Sequence, residues 1–191
     1  LIRRQRQMCI RDRYMLVPYE AEYVQGVKMP SSTSEDELRN QAAIAVYFIE
    51  KILQPNIVYI LGPGTTTRTI ADLLDQKKTL LGVDILFNNR IVARDVNEKE
   101  ILKHIKGREA KIVVTPIGGQ GFIFGRGNQQ ISPRVIRKVG KQNIFVIATK
   151  SKLRKIKFLR VDTGDSDLDN ELKGRIKVIV DYNQTVITLI R

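Results

Sequence analysis

One cysteine and one histidine among 191 residues leave this chain short of the two side chains most used in zinc and nucleophile chemistry. Cys9 has no disulfide partner, and His104 alone can build neither a metal cluster nor a Ser-His triad. Disulfide scaffolds, zinc chemistry and histidine acid–base catalysis are therefore disfavoured. Long apolar runs are missing as well, since none approaches the roughly 20 residues that a membrane span requires. No signal peptide is visible, so a cytoplasmic protein with no membrane partner is expected. What remains is enough chain for one full-sized domain, or one domain plus a fragment of another, with a core that needs no staples.

The net charge of +13 invites a nucleic-acid reading, but its distribution argues against one. Leu1–Arg13 alone holds five Arg against one Asp, and the rest of the surplus is spread along the chain. A cluster at Lys150, Lys152, Arg154, Lys155 and Lys157 could meet phosphate, yet it reads first as a solvated face. Neither an aromatic-interleaved RNA-binding motif nor a helix-turn-helix pattern accompanies it, so nucleic acid is not the expected partner. The amino end is unusual. It opens on Leu, and Arg6–Arg13 resembles a translated sequencing-adapter stretch. Residues 1–13 are accordingly expected to be non-native, and residues 14–34 to be an extended segment and linker following a further, amino-terminal domain. Residues 35–191 are then an α/β carboxyl-terminal domain.

Tyr14–Lys28 reads as extended, and Met29–Ser34 as a turn-rich break. Ser34 and Glu37 have the spacing of a capping box for a helix carrying Leu38, Ala42, Ala45, Phe48, Ile49 and Ile52, which Pro55 ends. The run Ile57–Leu61 lacks alternation, as expected of a strand buried on both faces in a parallel sheet. A helix follows through Ile70, Leu73 and Leu74, then a strand over Thr79–Ile85, a turn at Asn88-Asn89 and a strand over Ile91–Ala93. Next come a helix over Glu98–Ile105 and a strand over Lys111–Thr115. Beyond Pro133 the pattern predicts helices over Pro133–Val139 and Asp167–Leu172, and strands over Ile144–Ala148, Phe158–Val161, Ile176–Val180 and Val186–Ile190. Strands alternating with helices mean an α/β fold: a mostly parallel, Rossmann-like sheet with flanking helices.

Ligands of open α/β sheets bind at the carboxyl ends of the strands, and two of those ends carry unusual loops. The first is Leu61-Gly-Pro-Gly-Thr-Thr-Thr-Arg68, in which Gly62 and Gly64 permit a tight turn. The helix opening near Thr66 offers unpaired N–H groups, and Thr65, Thr66 and Thr67 add hydroxyls, a set that suits a phosphate. No lysine follows Gly64, so the segment is not a P-loop, and a plain helix cap is the simpler alternative. The second loop runs from Thr115 to Pro133 and is dense in glycine: Gly118, Gly119, Gly121, Gly125 and Gly127. That density suggests a backbone shaped for close approach to a ligand, or else a flexible hairpin tip. Gln120, Arg126, Asn128 and Gln129 set among the glycines could meet phosphate, sugar or base.

Carboxylates supply the remaining candidates. Asp84 interrupts an apolar run at a strand end, where it could act as a base, hold Mg²⁺ or bind ribose; Asp95 could do the same or simply cap the helix, and Asn97 reads best as a cap. Asp162 and Asp165, in Val161-Asp-Thr-Gly-Asp-Ser-Asp-Leu168, could coordinate a divalent cation, though the calcium-loop pattern is incomplete. A turn with Asp165 or Ser166 capping the next helix is the alternative.

Taken together, Tyr23-Val-Gln-Gly26, Leu61–Arg68, Leu80-Leu-Gly-Val-Asp84, Asp95-Val-Asn-Glu98, Thr115–Pro133 and Val161-Asp-Thr-Gly-Asp165 resemble the ATP-NAD kinase family. The likeness is to its prokaryotic branch with a distinctive carboxyl-terminal region, and it covers nearly everything from Tyr14 onward. It implies phosphoryl transfer from ATP to the 2′-hydroxyl of the adenosine ribose of NAD, giving NADP, with Mg²⁺. It further implies that Asn97-Glu98 corresponds to a short Asn-Glu element that holds NAD. The Gly-Gly-Asp-Gly-Thr motif carrying the family's catalytic aspartate occurs nowhere in these 191 residues. No catalytic residue is assigned, and the fragment is expected to be inactive without its amino-terminal partner domain. A second resemblance, through Leu61–Arg68, Gly82-Val-Asp84 and Thr149-Lys-Ser-Lys152, is to ribose-5-phosphate isomerase-type folds and to sugar-responsive repressor effector domains. It favours α/β over a β-rich domain and leaves open a sugar-phosphate sensor without kinase activity. A homo-oligomer is compatible with either reading.

Overall fold

Apolar runs without alternation form the centre of the sheet. The structure is a computed structural model, and it describes residues 35–191. In chain order the elements are α1 (Glu35–Lys51), β1 (Val58–Leu61), α2 (Thr65–Leu73), β2 (Asp84–Phe87), β3 (Arg90–Ala93), α3 (Glu98–His104), β4 (Ala110–Val114) and β5 (Phe122–Phe124). They continue with α4 (Pro133–Val139), β6 (Ile144–Ile147), α5 (Lys150–Arg154), β7 (Arg160–Val161), α6 (Ser166–Leu172), β8 (Gly174–Asp181) and β9 (Gln184–Ile190).

Seven strands make one sheet in the order β3-β2-β1-β4-β6-β8-β9. The central pairs β1–β4, β4–β6 and β6–β8 are parallel, and both edges are antiparallel hairpins. Parallel strands need covered faces, and the side chains divide accordingly. Ile60, Ile112, Val114 and Val146 face one core, which α3, α4 and α6 cover through Ile101, Val135, Ile136 and Leu168. Tyr59, Leu61, Val113 and Ile147 face the other, which α1 and α2 cover through Ile44, Phe48 and Ile70. The result is a mixed α/β, Rossmann-like architecture.

Local chemistry sets the helix ends. Ser132 caps α4 with Pro133 at its first position, and Asn97 closes a capping box with Glu100 at the start of α3. Asn88 and Asn89 both adopt positive φ, 48° and 63°, as a two-residue turn between β2 and β3 demands.

Three elements differ from expectation. The strand expected over Thr79–Ile85 starts only at Asp84 and runs antiparallel to β1, with Leu61 opposite Asp84. Asp84 therefore opens its strand instead of closing it, although antiparallel pairing still leaves it at the carboxyl end of β1. The glycine-dense loop contains a strand, β5, which pairs in parallel with β7 in a separate two-stranded sheet. The basic cluster after Thr149 is a short helix, α5, capped by Thr149. The adapter-like residues 1–13 with Cys9, the extended segment and linker over 14–34, the motif at 23–26 and the Ser34 cap lie outside the described residues.

Candidate functional site

Because β1, β4 and β6 are parallel neighbours, the loops that leave them meet on one edge of the sheet. The Gly62 amide donates to the Val113 carbonyl at 2.8 Å, which lays the first loop along the end of β4. A side chain on Gly64, at φ 127°, would put its Cβ 2.5 Å from Thr115 Cγ2. Glycine is thus required where the loop crosses Thr115. Thr67 donates its hydroxyl to the Gly62 and Gly64 carbonyls, at 2.7 and 2.9 Å, fixing the turn from strand to helix. Gly64 is the N-cap of α2 and supplies no side-chain cap, so the first-turn N–H groups have no acceptor within the helix. Thr65 accepts from the Gln41 amide at 3.3 Å. Thr66 is 1% exposed, and among the described residues its hydroxyl has no hydrogen-bond partner. Arg68 is exposed and pairs with Asp72 one turn on, at 3.6 Å.

The end of β6 completes this edge. The Lys152 ammonium on α5 reaches Thr115 Oγ1 at 3.5 Å, beside the Gly64 crossing. Burial pushes its pKa below the usual lysine value, and the charge of Glu37 partly opposes that shift. Glu37, in the first turn of α1, accepts from the Thr149 hydroxyl at 2.5 Å and from the Ser151 hydroxyl. The Lys150 amide donates to the Asn40 side chain at 2.9 Å. The amino end of α1 therefore ties α5 to the sheet.

Asp84 is fully buried and its oxygens are occupied by the chain itself. Oδ2 accepts from the Thr79 amide at 2.7 Å, while Oδ1 accepts from the Thr79 hydroxyl at 2.6 Å and the Asp95 amide at 2.8 Å. The turn it organises accepts in turn from the Gly64 amide through the Leu80 carbonyl, at 2.9 Å. Asp84 thus holds the first loop in place from behind. Lys78, 7% exposed, donates to the Thr79 and Gly82 carbonyls in the same turn. Its pKa is pushed down to about 8 by burial, with Asp84 opposing and Arg68 adding to the shift. Asn97 accepts from the Glu100 amide at 3.0 Å as the α3 cap, and Glu98 accepts from the Ser132 hydroxyl at 2.6 Å.

The glycine-dense loop behaves differently. Its close backbone approaches are to its own chain: a Cβ on Gly121 would lie 2.7 Å from the Phe158 carbonyl oxygen, and one on Gly125 would lie 1.6 Å from that of Asp162. These glycines seat the loop against the residues on either side of β7. Asn128 is fully buried; it accepts from the Gly125 amide at 3.1 Å and donates to the Ile123 carbonyl at 2.9 Å. Arg126 lies over the Phe122 ring at 4.3 Å, with Asp162 at 3.5 Å and the Gln120 amide oxygen at 3.3 Å. Gly118, Gly119, Gly127 and Gln129 are not buried, and nothing crowds a Cβ at Gly118 or Gly119.

The two aspartates considered for a metal serve separate cations. Asp162 meets Arg126, whereas Asp165 caps α6 through the Leu168 amide at 3.0 Å and pairs with Arg137 at 2.9 Å. The Leu168 N–H and the Arg137 guanidinium hold the Asp165 carboxyl below the usual range. Among the described residues no group of three or more His, Cys, Asp or Glu could hold a metal. The donor set does not fit a protein-held Mg²⁺.

Lys152, Thr115, Glu37 and Lys78 were not among the expected site residues. The sequence marked Lys152 only as one of a basic cluster that could meet phosphate and within the Thr149-Lys-Ser-Lys152 likeness, without setting it apart from the exposed lysines around it. Among the described residues no helix is long and apolar enough to cross a membrane. The family model described as the ATP-NAD kinase C-terminal domain matches residues 55–189. No curated protein and no solved structure matches the chain.

Proposed function

Because the chain belongs to the ATP-NAD kinase C-terminal domain family, we propose that it is the nucleotide-binding carboxyl-terminal region of a cytoplasmic NAD kinase that converts ATP and NAD to ADP and NADP. The observation that carries the binding role is the meeting of the Gly62–Arg68 loop, Thr115 and Lys152 on one edge of the sheet. There the open N–H groups of α2, the unpartnered Thr66 hydroxyl and the Lys152 ammonium all present donors. Such a set binds phosphate oxygens at a helix N-terminus and fixes their position. Phosphoryl transfer depends mainly on positioning and charge neutralisation, which is the part these residues would supply. Mg²⁺ is usually held by substrate phosphates and one or two carboxylates, so the role asked of the described residues is nucleotide binding.

In this reading Gly62, Gly64 and Thr65–Thr67 cradle phosphate and Asp84 holds their loop in position. Asn97-Glu98 and the polar groups of the glycine-dense loop, Gln120, Arg126 and Gln129, would border the rest of the dinucleotide. The catalytic aspartate would come from an amino-terminal domain of the same protein. The test is an assay of the full-length protein with ATP, Mg²⁺ and NAD. NADP formation is expected, and its absence under all conditions would sink the assignment.

The position of Lys152 beside the Gly-Thr-Thr turn also suits a sugar-phosphate sensor without catalysis. Saturable binding of a pentose phosphate by a full-length protein that makes no NADP would favour that reading.

A further inference from the structure

The two edges of the seven-stranded sheet are finished differently. At one edge β3 is four residues long, begins on the exposed Arg90 and pairs with β2 through a register shift, and its outward Ile91 amide donates to Gln76 Oε1 at 3.2 Å. Each of these features blunts an edge against further pairing. At the other edge β9 is seven residues long and reads Gln-Thr-Val-Ile-Thr-Leu-Ile, with no charge and no proline. Val186, Ile187 and Leu189 on it are 43%, 62% and 42% exposed.

Register fixes which backbone groups of β9 are open. The Leu189 carbonyl accepts from the Leu159 amide at 2.8 Å and the Arg191 amide donates to the Leu159 carbonyl at 3.0 Å, so the odd-numbered residues of β9 turn their backbone groups away from β8. Leu159 covers that side at Leu189 and Arg191. Thr185 and Ile187 come next along the edge, and among the described residues their outward N–H and C=O groups have no partner. The turn at Tyr182-Asn183 closes the other end, so an incoming strand is confined to Thr185–Ile187. A second copy meets that requirement with the same residues. Run antiparallel about a two-fold axis at Val186, it sets Thr185 of each copy opposite Ile187 of the other, each pair exchanging two hydrogen bonds, and it uses neither group that Leu159 already holds. No like charges on the paired strands face one another across such a seam, which matters for a chain of net charge +13.

We propose that two copies of this chain join edge to edge through β9, centred on Val186, into one continuous sheet. The interface does not depend on the kinase reading. It is tested by sedimentation equilibrium of the full-length protein, in which the wild type is expected to be a dimer. Val186→Lys and Val186→Asp each place like charges opposite one another at the axis and should weaken dimerisation about a hundredfold. An equimolar mixture of the two variants should regain wild-type association as a heterodimer, which a merely structural effect of either substitution would not produce. Should either variant fail to fold, Ile187→Pro removes an outward N–H that β8 does not use and should likewise give a monomer. A monomeric wild type, wild-type association in either charged variant, or a mixture that stays monomeric would overturn the interface. A monomer whose Thr185 and Ile187 amides are protected from hydrogen exchange would overturn it in favour of the amino-terminal domain as the occupant of this edge.

Discussion

Two glycine-bearing loops leave neighbouring strands, yet they use glycine for opposite ends. After β1, Gly62 and Gly64 bring the chain against β4 and leave donors open at the start of α2. After β4, Gly121 and Gly125 bring the chain against its own β7 segment, and Asn128 and Arg126 are engaged within the fold. Glycine density marks close backbone approach in both places; the approached group is the neighbouring strand end at the first loop and the chain around β7 at the second. The longer and more conspicuous loop is the more self-satisfied of the two.

The sharpest way to break this contrast is Gly125→Ala. A Cβ there would overlap the Asp162 carbonyl, at a φ of 88° that L-residues rarely adopt. A loss on the order of 3 kcal/mol and a Tm lower by roughly 10 °C are expected in thermal unfolding. A wild-type Tm would show that the loop has room to move toward a ligand. Asp84→Asn comes next. It places an amide N–H₂ where the Thr79 and Asp95 donors need an acceptor, with a cost of roughly 2 kcal/mol by urea unfolding. Faster hydrogen exchange at the Thr79 and Asp95 amides should accompany it.

Lys78 supplies a pH signature of the same turn. Its folded pKa, about 8, lies below the ordinary 10.5, so between those values the unfolded chain binds more protons. Stability should therefore rise with pH across that window, by roughly 2 kcal/mol relative to Lys78→Met. A flat difference between the two proteins from pH 8 to 10.5 would show that the ammonium is solvated.

At the binding loop, Thr66→Val and Lys152→Met should each weaken nucleotide binding by about tenfold in calorimetry of the full-length protein. Arg126→Ala should change it less, because that guanidinium is already stacked and paired; an equal loss would show that the glycine-dense loop contributes as much as the loop after β1. The smallest effect belongs to Asn97→Ala, about 1 kcal/mol of stability from the lost cap. Asn97→Ser should restore the cap. If it also restores the KM for NAD, the residue acts through the helix and not through contact with the dinucleotide.

Much of the sheet was legible because its strands are buried on both faces and stand out as unbroken apolar runs. Ile57–Leu61, Lys111–Thr115 and Ile144–Ala148 were each placed within a residue at either end for that reason. The Thr79–Ile85 strand was misplaced because its first half is apolar yet forms the turn that Asp84 organises, an arrangement made by contacts to Asp95 and Gly64 distant in sequence. β5 was hidden because glycines at 121 and 125 read as breakers, while in the fold they admit the backbone on either side of β7. The strand-to-helix turn at Gly62–Thr67 could be read from its glycines and threonines alone. Lys152 stood in the sequence as one of a basic cluster and in the Thr149–Lys152 likeness, and the meeting of β4 and β6 is what sets it apart from its exposed lysine neighbours.

Amide chemical-shift mapping of the full-length protein with ATP tests most directly which loop is the binding loop. Saturable shifts are expected at Thr65–Thr67, Thr115 and Lys152, with little change at Gly121, Gly125 and Asn128. Shifts confined to residues 118–129, with Thr65–Thr67 unmoved, would contradict it.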